Sequence, residues 1–378
     1  MKILCVSPFK PYPTLHGGTV DIWSQIAILL NLGHDVNLVF CTKEKTEFDK
    51  KHLSKEYDSF VNIYPVFRKN KIKDFFSKTP LQINSRKALS KVKLVEEYDL
   101  TILYSEYVIK ILFNDTLKTK KVVLRVQNNE VKYFKELSKS TKKLIYKAYF
   151  RSESIKFRGL IRTLKPLIQS VWHISNDEIK KSHYSNNVLV PPAYNSSFKT
   201  QKLSTNTALF ISSLHMENNL DALEWYLKGA HLLLCEKLTD YKLIVCGSAT
   251  DNQRRKIQDK YKKHSNIDFY FNAPSLLKYY EESSVFINSM RHGAGVKLKS
   301  INAIVNGLPL VSTSTGAEGI GLKQKEMFRL ANTQQEFFTE IISVFQENKA
   351  DIQQMVTNAQ NHLKKNAPEK VIEEQLKQ

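Results

Sequence analysis

The densest gathering of chemistry-bearing residues is the run Arg291-His292-Gly293-Ala294-Gly295-Val296-Lys297-Leu298-Lys299-Ser300-Ile301-Asn302-Ala303. It follows an apolar, strand-like stretch and opens a helical pattern. Gly293, Ala294 and Gly295 are therefore expected to bare backbone amides at a helix start, where partial positive charge favours an anion. Arg291, Lys297 and Lys299 add full charges, and the whole reads as a cradle for a phosphate group. The run lacks the Gly-Lys-Ser/Thr ending of a P-loop and requires no metal. A glycine-rich turn beside solvated lysines is the plainer alternative. Against it stand the neighbours: Asn306-Gly307-Leu308-Pro309-Leu310-Val311, a helix stop leading into a strand, then Thr313-Ser314-Thr315-Gly316-Ala317-Glu318-Gly319-Ile320. That second glycine-rich turn, with Glu318, is expected to lie beside the first in a parallel sheet.

Two further places are less specific. Pro8-Phe9-Lys10-Pro11-Tyr12-Pro13 and then His16-Gly17-Gly18 stand between a first strand and a first helix. Gly17 and Gly18 permit close approach of backbone to a ligand, or simply make a tight turn. They lack the G-x-G-x-x-G spacing of a dinucleotide site. Arg125-Val126-Gln127-Asn128-Asn129-Glu130 closes another strand, where ligands of open sheets bind. Asn128 and Glu130 are candidates there, and capping of the next helix by Asn128 or Asn129 is an equal reading. Tyr104-Ser105-Glu106 and Ser175-Asn176-Asp177 occupy similar places.

The elements that must position these residues alternate from end to end. Apolar runs at Ile3–Val6, Asp35–Phe40, Leu100–Tyr104, Lys121–Val126, Val171–Ile174 and Asn187–Val190 read as strands, with a helix over Asp21–Leu32 and a long helical stretch from Glu130 to Gln169. Pro191 to Asn206, opening on two prolines and continuing with Asn, Ser and Thr, reads as a linker. The alternation then restarts, with strands at Ala208–Ser212, Lys242–Cys246, Ile267–Phe271, Ser284–Asn288 and Pro309–Ser312. Helices are expected over Asn219–Leu234, Asn252–His264, Ser275–Glu281 and Val296–Asn306, and later near Gln334–Gln346 and Asp351–Lys364. Such alternation predicts parallel sheets covered by helices on both faces. The expected plan is an N-terminal domain over 1–190, a linker over 191–206, a C-terminal domain over 207–360, and a helical tail over 361–378 packing back on the N-terminal domain.

Composition narrows the partners. At 378 residues, with 42% hydrophobic and 25% charged side chains, the chain suits two ordinary globular domains. No apolar run reaches the roughly 18 residues of a membrane span, and no secretory leader is read at the N-terminus. Cys5, Cys41, Cys235 and Cys246 are scattered, as reduced cytoplasmic thiols would be. The net charge of +20 is uneven: residues 1–200 hold 35 Lys and Arg against 18 Asp and Glu. A basic half attracts polyanions, whether nucleic acid, anionic lipid headgroups or phosphorylated acceptors, and a lysine-rich solvated surface is an equal reading. Without zinc-finger spacing or an aromatic–basic RNA signature, a nucleic-acid partner is not expected.

In order and spacing these motifs resemble the retaining glycosyltransferases of family 4 (group 1), which have the GT-B fold. The likeness covers nearly the whole chain: the first strand, Gly17-Gly18, Leu32-Gly33-His34-Asp35-Val36, Arg125 to Glu130, Leu209-Phe210-Ile211-Ser212-Ser213-Leu214, Asn218 to Leu223, Gly293 through Val311 and Thr315 to Ile320. The resemblance implies two Rossmann-like α/β domains with parallel sheets facing across a cleft. It implies a nucleotide diphosphate sugar as donor substrate and no cofactor or metal. Gly293, Ala294 and Gly295 would offer amides to the diphosphate, Lys297 or Lys299 would neutralise it, and Gly17 and Gly18 would face the phosphates or the acceptor. The implied activity is retaining, hexosyltransferase-like transfer to a glycan or lipid-linked acceptor in polysaccharide or lipopolysaccharide synthesis, in the cytoplasm or on the inner face of the plasma membrane. The sequence departs from the family in places. The Glu pair framing the donor segment is replaced by His292 or a neighbour and by Asn302. The His of the His-Asn-x-Glu segment is Gln127, and His215-Met216-Glu217-Asn218 stands where Arg and Lys are usual, leaving Arg291 and Lys297 to compensate. No catalytic residue is assigned from sequence. The departures keep open a non-catalytic subunit or a nucleotide-sugar epimerase on the same fold.

Overall fold

The computed structural model describes residues 1–13, 17–43, 55–70, 72–141, 143–194, 197–262, 266–293 and 295–377. It divides into two compact units, Met1–Ala193 with Pro368–Gln378, and Tyr194–Ala367.

The first unit is built on β1 (Lys2–Ser7), α1 (Gly17–Asn31), β2 (Asp35–Thr42), β3 (Ile63–Phe67), α2 (Leu81–Asn84), β4 (Glu97–Tyr104), β5 (Lys118–Val126), α3 (Glu130–Ser140), α4 (Leu144–Leu164), β6 (Ser170–His173), α5 (Asn176–Lys180) and β7 (Asn187–Leu189). Its strands form one sheet in the order β3-β2-β1-β4-β5-β6-β7, and every pairing is parallel. Strands of such a sheet are buried on both faces, which explains their unbroken apolar runs. Ile3 and Cys5 enter one core with Ile22, Ile26 and Val36, whereas Leu4 and Val6 enter the opposite core with Leu103, Leu124 and Phe157.

Two sequence expectations change here. The first helix starts at Gly17, not Asp21, so the paired glycines are its first turn. Asp21 lies inside the helix, its carboxylate buried against Arg125. The long helical stretch after Glu130 is two helices, broken where Thr141 turns extended. They fold against each other with the Phe134 and Phe157 rings stacked at 5.5 Å.

The second unit contains β8 (Thr207–Ile211), α6 (Glu217–Leu227), α7 (Ala230–Lys237), β9 (Lys242–Gly247), α8 (Asp251–Tyr261), β10 (Ile267–Phe271), α9 (Leu277–Glu281), β11 (Val285–Asn288), α10 (Leu298–Val305), β12 (Leu310–Ser312), β13 (Arg329–Leu330), α11 (Gln334–Gln346) and α12 (Lys349–Lys365). The sheet order is β10-β9-β8-β11-β12-β13, again all parallel. The helix expected over Asn219–Leu234 is two, interrupted at Gly229. The last helix, α13 (Pro368–Leu376), returns to the first unit, where it packs on α1 and buries Ile372 in the core that holds Ile22 and Ile26.

Candidate functional site

In each sheet the chain reverses its direction of travel once, at β1/β4 in the first unit and at β8/β11 in the second. The loops leaving the carboxyl ends of such strand pairs splay apart, and ligands settle between them. Every site residue expected from sequence and described in the structure lies after one of these strands, or after β12 or β5 beside them.

In the second unit the loop after β11 carries Arg291, Gly293 and Gly295, and Ala294 lies outside the described residues. Gly293 has φ 131° and Gly295 φ 79°, both in backbone territory that favours glycine. A Cβ on Gly293 would also meet Met290 Cε at 3.1 Å and Asn218 Nδ2 at 3.4 Å. The loop therefore runs close to the start of α6. The helix opens later than its sequence suggests, with Lys297 at the N-cap position and Leu298 first in line. The two glycines precede the helix rather than forming its first turn. A β-branched Val296 beside an extended Lys297 (φ -97°, ψ 94°) delays the turn.

The cations are held in different ways. Arg291 donates from Nη2 to both carboxylate oxygens of Asp221 at 2.8 and 2.9 Å, and its guanidinium lies 5.4 Å from the Trp225 ring centroid. Lys297 is buried, donates to the Gly295 carbonyl and stands 3.7 Å from Glu318. Burial lowers its pKa, and Glu318 partly restores it. Lys299 donates from Nζ to Ser212 Oγ at 2.7 Å and to Asn219 Oδ1 at 3.2 Å. Burial, with the charge of Lys297 nearby, pushes the Lys299 amine down to about 7. Asn302 lies three residues beyond Lys299 on α10, on the same side of the helix, and is exposed.

Sequence reasoning missed the brace beneath this loop. Asn288 Nδ2, at the end of β11, donates to Ser300 Oγ at 2.8 Å and to the Gly316 carbonyl at 3.1 Å, and Ser300 Oγ donates to the same carbonyl at 2.8 Å. Three elements thus lock together: β11, α10 and the turn after β12. Asn at a strand end and Ser in a first helical turn are the signals that could have found it. Their partners are 12 to 28 residues apart, which no local pattern reveals.

In the first unit a pocket of about 250 Å³ opens after β1, β4 and β5, lined among others by Gly18, Glu106, Tyr107, Gln127, Asn128 and Glu130. Gly17 is exposed beside it in the first turn of α1. The ambiguity over the asparagines resolves locally: Asn129 caps α3 by accepting from the Lys132 amide, and Asn128 lines the pocket. Ser175 likewise caps α5. Below the pocket Arg125 is fully buried, bridging Asp21 through Nε at 3.1 Å and Nη2 at 2.9 Å. Gln127 Nε2 donates to the Gly18 carbonyl and to Asp21, both at 3.1 Å. Gln127 therefore ties the glycine turn to β5.

Two carboxyl groups in this pocket are unusual. Tyr107 donates its hydroxyl to Glu130 Oε2 at 2.7 Å, and Tyr184 donates to Glu106 Oε1 at 3.4 Å. Burial raises Glu106 to about 7, helped by Glu178, and raises Glu130 to about 8, helped by Glu106. Ser105, just before Glu106, sits at φ 119°, a conformation that costs a non-glycine residue roughly 1–3 kcal/mol. The Ser105 side chain also caps the turn that follows, accepting from the Tyr107 amide at 3.2 Å. Among the described residues no group of three His, Cys, Asp or Glu converges as metal ligands would.

Two Rossmann-like α/β units, each built on one parallel sheet, are the architecture of the GT-B class of glycosyltransferases, whose donors are nucleotide sugars. Residues 205–347 match the family described as glycosyl transferases group 1. The chain is 33% identical over 390 residues to an uncharacterized 44.6 kDa protein in the cps region of Klebsiella pneumoniae, covering 98% of this chain and 97% of that one. It is similar in structure to a TarM mutant of S. aureus in complex with Fondaparinux, alpha-GlcNAc-glycerol and UDP, with a TM-score of 0.71 at 11% identity over 100% of this chain and 99% of that one. It is also similar to Anabaena HepE in complex with UDP, with a TM-score of 0.65 at 12% identity over 100% of both chains. The protein belongs to the glycosyl transferases group 1 family and is a glycosyltransferase.

Proposed function

We propose that this enzyme transfers a hexose from a nucleotide diphosphate sugar to a glycan or lipid-linked acceptor, with retention at the anomeric carbon, in the synthesis of a cell-surface polysaccharide at the inner face of the plasma membrane. The observation that carries the donor assignment is the pair of buried amines at the β8/β11 switch point, Lys297 donating to the Gly295 carbonyl and Lys299 held by Ser212 and Asn219. A diphosphate leaving group gathers negative charge as the glycosidic bond breaks. Fixed amines and amides in a dry site stabilise that charge without reorganising, and stabilisation of this kind contributes more to rate than other devices open to such a site. Asn302 reaches the ribose hydroxyls in this reading, and Glu318 orients Lys297. Gly17, Gly18, Asn128 and Glu130 contact the acceptor or the transferred sugar. The names of two relatives agree in kind: TarM was captured with UDP and a GlcNAc-glycerol, HepE with UDP.

Titration calorimetry against UDP, GDP, ADP and dTDP and their sugar conjugates tests this reading. One nucleotide series is expected to bind, and Lys297→Ala to weaken it by about 10- to 100-fold, the worth of a hydrogen bond between charged groups. Circular dichroism should show the variant folded. Heat of binding for none of the four series, or unchanged binding by Lys297→Ala, overturns the donor assignment.

A further inference from the structure

The first unit carries a surface that neither the sheet nor the switch-point pocket accounts for. Helix α4 buries one side, with Phe157, Ile161 and Leu164 in the core. Its other side should be polar in a helix facing only water. Instead the outward row, spaced by four and three residues, reads Leu144, Ala148, Arg151, Ile155, Arg158 and Arg162, all exposed. Leu144 is 80%, Ile145 83% and Ile155 65% accessible. Leu144 and Ile155 lie three turns apart, roughly 16 Å along one face.

The apolar surface continues beyond the helix. Phe75 packs its ring 5.4 Å from that of Tyr149, and Lys156 Nζ donates to the Phe75 carbonyl at 3.0 Å. The segment carrying Phe75 and Phe76 is thereby fixed against α4. Phe76, 88% accessible, joins Phe113 and Ile155 around an open groove of about 670 Å³, with Lys78 and Lys110 on its walls. Large apolar side chains gathered in one place on a surface mark a binding face.

The charge around them selects the partner. From Lys143 to Lys165 the chain holds Lys143, Lys147, Arg151, Lys156, Arg158, Arg162 and Lys165 against one acid. That acid, Glu153, is buried, paired with Lys156 at 2.9 Å, and accepts from the Leu81 amide. No carboxylate of α4 reaches its outer face. Exposed aliphatic and aromatic tips set among cations match an interface of acyl chains beneath anionic headgroups. The tips enter the hydrocarbon boundary while Arg and Lys stems lie along it with their charges at the phosphates. An acidic protein would match the cations but leave several bare apolar tips unexplained. We propose that the outer face of α4, with the Phe75-Phe76 segment and Phe113, is a docking surface for an anionic lipid bilayer. This deepens the proposed function by giving the enzyme a side that faces the membrane. Its readout is attachment without turnover, so either reading can fail while the other stands.

The protein is mixed with phosphatidylglycerol-containing vesicles or pure phosphatidylcholine vesicles and co-sedimented. Attachment is expected to the anionic vesicles alone at about 0.1 M salt, and to weaken at about 1 M, where the screening length falls from about 10 Å to 3 Å. The double change Phe76→Ser with Ile145→Ser, and separately Arg151→Glu with Arg158→Glu, should each lower partition at least about tenfold, at roughly fivefold per charge near the surface. Arg151→Lys with Arg158→Lys should restore it. These side chains are exposed, so folding is preserved, as circular dichroism will check. Ile145→Trp should shift its fluorescence to the blue only with anionic vesicles. Equal attachment to both vesicle types, or variants that attach like the unmodified protein, overturns the proposal. So does a concentration-dependent dimer that the Ser variants abolish while no vesicle binding occurs, which would assign the face to a second copy of the chain.

Discussion

Glu106 and Glu130 share a small pocket, and burial raises both above the ordinary carboxylate value of 4.5, to about 7 and about 8. The folded protein thus holds protons that the unfolded chain has released. Their contribution to stability is complete below about pH 4.5 and is lost as pH rises through 7 to 8. Thermal melts of the protein between pH 5 and 8.5 should fall in this range, and Glu130→Gln should flatten the fall, since Gln keeps an oxygen for the Tyr107 hydroxyl. A Glu130→Gln profile as steep as that of the unmodified protein would exclude Glu130 as the titrating group. At neutral pH such a carboxyl can donate as well as accept a hydrogen bond, which suits recognition of sugar hydroxyls. Glu130 is visible in sequence as a polar residue at a strand end. Its protonation is not, because it depends first on burial and then on the charge of Glu106, a residue from a different strand end.

At the scale of elements, the brace joining β11, α10 and the turn after β12 decides whether the donor loop is held ready. Gly316 is its narrowest point: an added Cβ would lie 2.7 Å from the Asn288 carbonyl oxygen and closer still to Ser312 Oγ. Gly316→Ala must push the turn away from β11, which destabilises by roughly 1–3 kcal/mol for overpacking. Nucleotide affinity measured by calorimetry should drop by more than the loss of stability explains, because the turn also carries Glu318, the partner of Lys297. An affinity unchanged by Gly316→Ala would show that the brace does not support the loop. Local signals located most elements here, since apolar runs of four or five residues between turns read plainly as strands. They misjudged where helices begin. Asp21 has the chemistry of a cap but pairs with Arg125, 104 residues away, and the two glycines before Leu298 look like a helix start but stay outside it.

For the whole molecule, the chain visits the first unit twice. Helix α13 comes back to α1 after the entire second unit, and Ile372 is fully buried there. Ile372→Ala should remove about 2–5 kcal/mol, the usual effect of a core cavity, and the loss should fall on the first unit. Hydrogen exchange read by mass spectrometry should show faster exchange in α1 and β2, with β8 and β9 unchanged. Equal acceleration in both units would mean that they unfold as one body. Ile372 in an amphipathic tail is legible as a helix that buries something. Which core receives it is a matter of tertiary packing.

The sequence by itself determined the class of fold, because a parallel sheet buried on both faces can be written only as apolar runs separated by amphipathic helices, and that pattern is local. It also determined the family, because the order of its glycine-rich turns is carried along the chain. Only the tertiary structure decided which cations are taken by Asp221, Ser212 or Glu318, which acids keep their protons, and which side of α4 is left bare. Each of these turns on the few ångströms between side chains far apart in sequence, and charge and solvation respond to that distance rather than to order along the chain.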